Sequence, residues 1–382
     1  MMERFDEIRP YHDDEVRPTL ERLLQDHELL HALSHHQFPR LSQWLGGIMY
    51  WLTGRGLRSR LKDVHNIDAL QKVIEPYLSQ VIESTTSHIT YSGIENLKPG
   101  VAYTYLSNHR DIVMDPAFVN YGVYKNGMDT VRIAIGDNLL QRPFVSDLMR
   151  LNKSFIVKRS VSGRREKLKA FQTLSAYIHH SIDTGHSVWI AQSEGRAKDG
   201  NDLTDSAIIK MFHMSRKGAD TSFSDSIRSM NIVPVAISYE YDPCDTMKAR
   251  ELYETEHNGS YMKSEGEDMH SIVKGIEGQK GHVHIAFGTP LTGDYDSAND
   301  VVMEVDRQIH KNYQLQPANL FAWKAMKNLH TGAPVPDLNS LFPDVDLDSK
   351  RSEFEQRLAA ADNDHRKWLL TMYATPVFNR YA

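Results

Sequence analysis

The sequence predicts an α/β fold, a mostly parallel mixed sheet flanked by helices, with a helical N-terminal region before it and a helical C-terminal tail after it. Three observations lead there. From about residue 93 onward, short β-rich runs alternate with helix-length segments, the pattern of a chain crossing over between parallel strands. Before that point apolar residues recur at spacings of three and four, as in Leu20, Leu23, Leu24, Leu29 and Leu30, with no alternating runs. The length of 382 residues, against a usual domain of about 150, allows two or three units and an ample core.

Residues 1–92 therefore read as a helical region. Inside it, 38–62 carries five basic residues (Arg40, Arg55, Arg58, Arg60, Lys62), no acidic ones, and a helical stripe of Leu41, Trp44, Leu45, Ile48, Trp51 and Leu52. Tryptophans beside a basic flank suit the interface of an anionic membrane; a helix packed on its own domain is the alternative. The apolar stretch 41–54 has 14 residues, short of the roughly 20 a bilayer-spanning helix needs.

Residues 93–315 read as the α/β domain. Its strand candidates are VAYTYL (101–106), VRIAI (131–135), SFIVK (154–158), SVWIAQ (187–192), IVPVAISY (232–239) and HVHIAF (282–287). A helix is expected over 164–182, with Leu168, Phe171, Leu174 and Ile178 on one face, and another over 298–313. Between them 255–280, rich in Glu, Lys, Gly and Ser, reads as an exposed excursion. Residues 316–382 read as a C-terminal extension, punctuated by Pro334, Pro336 and Pro343 and ending in one helix over 349–373.

Composition narrows the function. With 44 Lys plus Arg against 50 Asp plus Glu the net charge is -6, so no nucleic-acid partner is expected. The one cysteine, Cys244, excludes an internal disulfide and a CxxC site. MMERFDEIRPYHDDE has charges where a signal peptide needs its apolar run, so cytoplasmic residence is expected. Neither His27, His31 and His35 on one helical face, nor His179-His180, nor His282 with His284 has carboxylates at ligand spacing. They read as helix-surface or strand histidines, and no metal or cofactor is expected.

Ligands of open α/β sheets sit beyond the carboxyl ends of the strands. There this chain places SNHRDIVMDP, GDN, Arg159 and SEGRAKDGND, in that order. A histidine such as His109 has a near-neutral pKa and can take a proton from an alcohol as its oxygen attacks a carbonyl. A carboxylate on its second ring nitrogen would fix the tautomer; Asp115 is the candidate, with Asp111 its rival. Asp115-Pro116 also reads as a helix start, with Asp as the cap. The substrate hydroxyl would be the nucleophile, in keeping with the absence of a G-x-S-x-G elbow. Arg159 and Arg196 offer forked donors to a phosphate, and seven basic residues between Lys153 and Lys169 suit the phosphates of coenzyme A or an acidic carrier protein.

Taken together, four blocks resemble those of the glycerolipid acyltransferase superfamily. They are Asn108-His109 with Asp115-Pro116, FIVKR ending in Lys158-Arg159, Glu194-Gly195-Arg196, and Val233-Pro234-Val235. Two departures stand out: five residues, not four, separate His109 from Asp115, and the threonine between Gly195 and Arg196 is missing. The resemblance implies transfer of a fatty acyl group from an acyl thioester, carried by coenzyme A or acyl carrier protein, to a glycerol-phosphate or lysophospholipid hydroxyl. It implies His109 and Asp115 as the catalytic pair and Asn108, Lys158, Arg159, Glu194, Gly195 and Arg196 as the binding set. A lipid-binding protein without turnover and an acyl-thioester hydrolase are the alternatives.

Overall fold

All six β-rich runs form strands, and His88–Ser92 adds a seventh within the stretch read as helical. In chain order they are β1 His88–Ser92, β2 Thr104–Ser107, β3 Arg132–Gly136, β4 Ser154–Val157, β5 Val188–Ala191, β6 Ile232–Tyr239 and β7 His282–Phe287. The computed structural model describes residues 2–37, 42–218, 221–326 and 337–381, without the side chains of 2, 3 and 35–49. The chain divides into two compact units, Met1–Gln80 with Arg132–Tyr177, and Val81–Val131 with Ile178–Ala382.

The larger unit holds five strands in the order β1-β7-β6-β2-β5. Strand β2 runs parallel to both neighbours, so that Ser107 at its carboxyl end lies beside Ala191 of β5 and Val235 of β6. β7 is antiparallel to β6, and β1 is parallel to β7. Every residue of β6 is buried, which explains its unbroken apolar run: a strand covered on both faces has no solvent side to alternate with.

Helix Met114–Lys125 follows β2, and Ala298–Asn312 follows β7, opened by a capping box between Ser297 and Asp300. Residues 255–280 are largely exposed, as expected, but not irregular: they finish helix Asp245–Asn258 and form helix Glu267–Glu277, on which Ser271 and Gly275 are buried. The expected last helix is two, Leu347–Ala360 and Arg366–Tyr381, because Asp362 accepts from the Asp364 N–H and starts a new turn. With helix Pro317–Ala325 they build a core of Leu320, Phe321, Phe354, Leu369, Met372, Tyr373 and Val377.

In the smaller unit β3 and β4 pair in parallel, and the Ile156 N–H of β4 donates to the Ile8 carbonyl at 2.8 Å. Its core joins Val16, Leu20 and Leu23 of helix Asp13–Leu23 to Val64, Ile67, Leu70 and Leu151. Helix Ser42–Leu61 carries the tryptophan stripe. Of that stripe Leu41, Trp44, Leu45 and Ile48 lie outside the described side chains, as does Arg40, whereas Trp51 is 57% and Leu52 44% exposed. The basic flank is less free than its sequence suggests: Arg58 donates to the Leu24 carbonyl at 3.0 Å, and Arg60 to the Tyr77 hydroxyl. Arg55 lies over the Trp51 ring at 5.6 Å.

Candidate active site

The loop leaving β2 turns directly into helix Met114–Lys125, which brings His109 and Asp115 face to face. His109 Nδ1 lies 2.8 Å from Asp115 Oδ2. The same oxygen accepts the backbone N–H groups of Arg110 (2.6 Å) and Asp111 (2.9 Å), and the other oxygen accepts the Tyr239 hydroxyl at 2.7 Å. Asp115 is fully buried. Four donors therefore converge on one carboxylate, which assigns the proton to Nδ1 and the lone pair to Nε2 of His109. The imidazole is 14% exposed, meets the edge of Trp189 at 5.8 Å, and makes no Nε2 hydrogen bond among the described residues.

Asp111 has a different task. Its Oδ1 accepts from the Val113 and Met114 N–H groups at 2.9 and 2.8 Å, so the capping bonds expected of Asp115 are made by Asp111. Burial raises the Asp111 carboxyl above its ordinary value, and the nearby charge of Asp115 adds to the shift. A Cβ on Gly275 would overlap that carboxylate, so helix Glu267–Glu277 approaches the loop only because residue 275 has no side chain.

The loop after β5 is tied to the same place by the Ala197 N–H, which donates to the His109 carbonyl at 2.8 Å. Gly195 sits at φ +79 with open space above it, and Glu194 is exposed beside it. Arg196 reaches Ser271 Oγ at 3.4 Å through Nη2, while its Nη1 is buried without a partner among the described residues. A buried guanidinium nitrogen left unpaired is an expensive arrangement unless an anion arrives.

Two members of the expected binding set do other work. Asn108 is fully buried: its amide donates to Asp202 Oδ2 (3.1 Å) and the Ile237 carbonyl (3.0 Å), and its oxygen accepts the Ile237 N–H (2.7 Å). Its side chain thus ties the end of β2 to β6 and to Asp202. Lys158, in the smaller unit, is paired with Glu7. Arg159, in that unit also, is exposed; its N–H donates to Asp137 Oδ1 at 3.0 Å and its guanidinium lies against Gly136. His282 and His284 are strand histidines, as expected, on β7: Thr90 Oγ1 lies 2.7 Å from both rings, and His284 is buried. Tyr239 belongs to the site but to none of the four blocks. It ends β6, so the rule that ligands lie beyond strand ends points to it, although a tyrosine inside an apolar run carries no other signal.

Residues 88–238 match the family model described as Acyltransferase. Over these residues the chain is similar to an acyltransferase domain. The chain is 26% identical over 201 residues to the glycerol-3-phosphate acyltransferase of Pseudomonas fluorescens, covering 52% of this chain and 22% of that one. It is 28% identical over 190 residues to the enzyme of the same name from Alteromonas mediterranea, covering 49% and 21%. The match thus spans about a fifth of the length of each curated relative. The 1-acyl-sn-glycerophosphate acyltransferase of Thermotoga maritima aligns at 13% identity and a TM-score of 0.36 over 74% of this chain and 92% of that one, a likeness too weak to bear on the fold. No helix among the described residues is long and apolar enough to cross a membrane.

Proposed function

We propose that this protein is an O-acyltransferase that moves a fatty acyl group from an acyl thioester to a hydroxyl of a glycerol-phosphate or lysophospholipid acceptor. The observation that carries this reading is the His109–Asp115 pair, in which Nδ1 faces the carboxylate and Nε2 is unengaged among the described residues. Nε2 takes the acceptor's hydroxyl proton as that oxygen attacks the thioester carbonyl. The resulting imidazolium, held by Asp115, returns the proton to the departing thiol sulfur. General-base help of this kind contributes about 10²–10⁴ in rate.

Arg196 is the donor we assign to the acceptor phosphate, because its buried Nη1 lacks a partner among the described residues. A phosphate-binding role for Arg159 rests on the family block alone. The donor thioester is of coenzyme A or acyl carrier protein, and the exposed Arg164, Arg165, Lys167 and Lys169 supply the cationic surface for either. Trp51, Leu52 and Arg55 support docking on the cytoplasmic face of an anionic membrane. If Trp51→Ala with Arg55→Ala leaves co-sedimentation with anionic vesicles unchanged, that docking is wrong.

The deciding experiment is mass spectrometry of products after mixing the protein, or its His109→Ala form, with acyl thioesters and a panel of glycerol-based acceptors. A new ester made only by the unsubstituted protein is the expected outcome. Free fatty acid in its place means hydrolysis, and no turnover with any acceptor means a lipid-binding role.

A further inference from the structure

The peptide group between Arg110 and Asp111 is gripped at both ends. Its N–H donates to Asp115 Oδ2 at 2.9 Å, and its carbonyl accepts from Lys248 Nζ at 2.7 Å. Lys248 lies on helix Asp245–Asn258, is 2% exposed, and is paired with Asp242. A fully buried lysine is costly to keep unless its bonds are needed. Burial alone would raise the Asp242 carboxyl, but Lys248, together with the Cys244 N–H and Arg110, holds that carboxyl below its ordinary value.

We infer that Lys248 and Asp242 are positioning residues for His109. The ammonium polarises the Arg110 carbonyl, which strengthens the opposite end of the same amide as a donor to Asp115, and Asp115 in turn fixes the imidazole tautomer. The connection is unbroken: Asp242, Lys248, the 110–111 peptide, Asp115, His109. Behind Asp242 stand the C-terminal helices. Its N–H donates to the Tyr373 hydroxyl at 3.0 Å, and Arg357 donates to its carbonyl at 2.7 Å. Both positioning residues lie beyond 238, where the family match ends. The matched segment therefore does not contain all that orients its own histidine. The other charged and titratable groups around the peptide are Arg110, held by Asp202, together with Asp111, Tyr239, Cys244 and Asp245.

The inference rests on His109 as the base, and the test separates the two. In the full chain, nitrogen NMR of the His109 ring is compared between the unsubstituted protein, Lys248→Met and Asp242→Asn, beside steady-state kinetics and thermal unfolding. The expected result is a single Nδ1–H tautomer giving way to a mixture in both variants, with kcat down about 10–100-fold and KM unchanged. Retention of the single tautomer in folded variants, whatever their melting temperature, overturns the inference. Should Lys248→Met fail to fold, Asp242→Asn, which keeps the shape of its side chain, decides. A protein with no acyl transfer whose tautomer nonetheless shifts would keep the positioning role and discard the proposed reaction; active protein with an unmoved tautomer would do the reverse.

Discussion

Asp115 concentrates the chemistry of the site in one side chain. Its two oxygens receive His109, the Tyr239 hydroxyl and two backbone N–H groups. Asp115→Asn puts an NH₂ among four donors, so one of them must be left facing it and the imidazole loses its orienting charge. We expect kcat to fall by about 10²–10⁴ with KM little changed, read by steady-state kinetics. A loss carried by KM alone would mean that Asp115 serves binding. His109 is legible because it follows a strand, and the sequence offers Asp115 as its partner with Asp111 the rival, six and two residues further along the chain. The helix separates them: Asp115 sits in its first turn, while Asp111 stands before it and accepts its leading N–H groups. Asn108 misleads for a related reason, because a motif shows that a side chain is needed and not that it meets substrate.

Among the elements, the β1–β7 pair is held together by histidines. His88 stacks on His282 at 3.9 Å, Thr90 bridges His282 and His284, and Ser92 reaches His284 at 2.9 Å. Burial first, then the neighbouring His88 and His284, push the His282 pKa down to about 4. An imidazole depressed in this way favours the folded state while it is neutral. Its contribution is complete above about pH 6.5, the ordinary histidine value, and is lost as pH falls through about 4. We expect an acid-side loss of about 1–2 kcal/mol across that window by chemical denaturation, flattened in His282→Gln. Parallel curves for the two proteins would remove His282 as the cause. HITYS escaped notice as a strand because five residues with a histidine and a serine give no apolar run, and only pairing to β7 makes them one. Helix Glu267–Glu277 escaped because its composition is polar; what it buries is Gly275 against Asp111, a contact without an apolar signature. Gly275→Ala should therefore displace the 109–115 loop and lower kcat with little loss of helix content, measured by activity beside circular dichroism. Full activity in that variant would show the loop to be indifferent to the helix.

At the scale of the whole molecule, the strand alternation made the sheet readable, whereas the part played by the C-terminal tail was hidden. Its ties to the site are single polar contacts between segments far apart in sequence, such as Arg357 with Asp245 and Tyr373 with Asp242, and periodicity reports only which face of a helix is buried. The tail also holds the loop after β5: Thr375 Oγ1 donates to the Asp199 carbonyl at 2.8 Å, and Gly200, at φ +79, lies where a Cβ would overlap the Met372 carbonyl oxygen. One Nη2 of Arg110 donates to both the Gly200 carbonyl (3.3 Å) and Asp202 (2.6 Å), so that loop is clamped between the residue after His109 and helix Arg366–Tyr381. Gly200→Ala combines a left-handed backbone with a steric overlap, and we expect it to cost about 1–3 kcal/mol of stability. Because Arg196 rides on the same loop, the KM for a phosphate-bearing acceptor should rise in this variant while that for the acyl thioester stays put. Thermal unfolding and two-substrate kinetics check the two halves separately: lost stability with both KM values intact would make the clamp structural only, and an equal rise in both would show that the loop does not distinguish the two substrates.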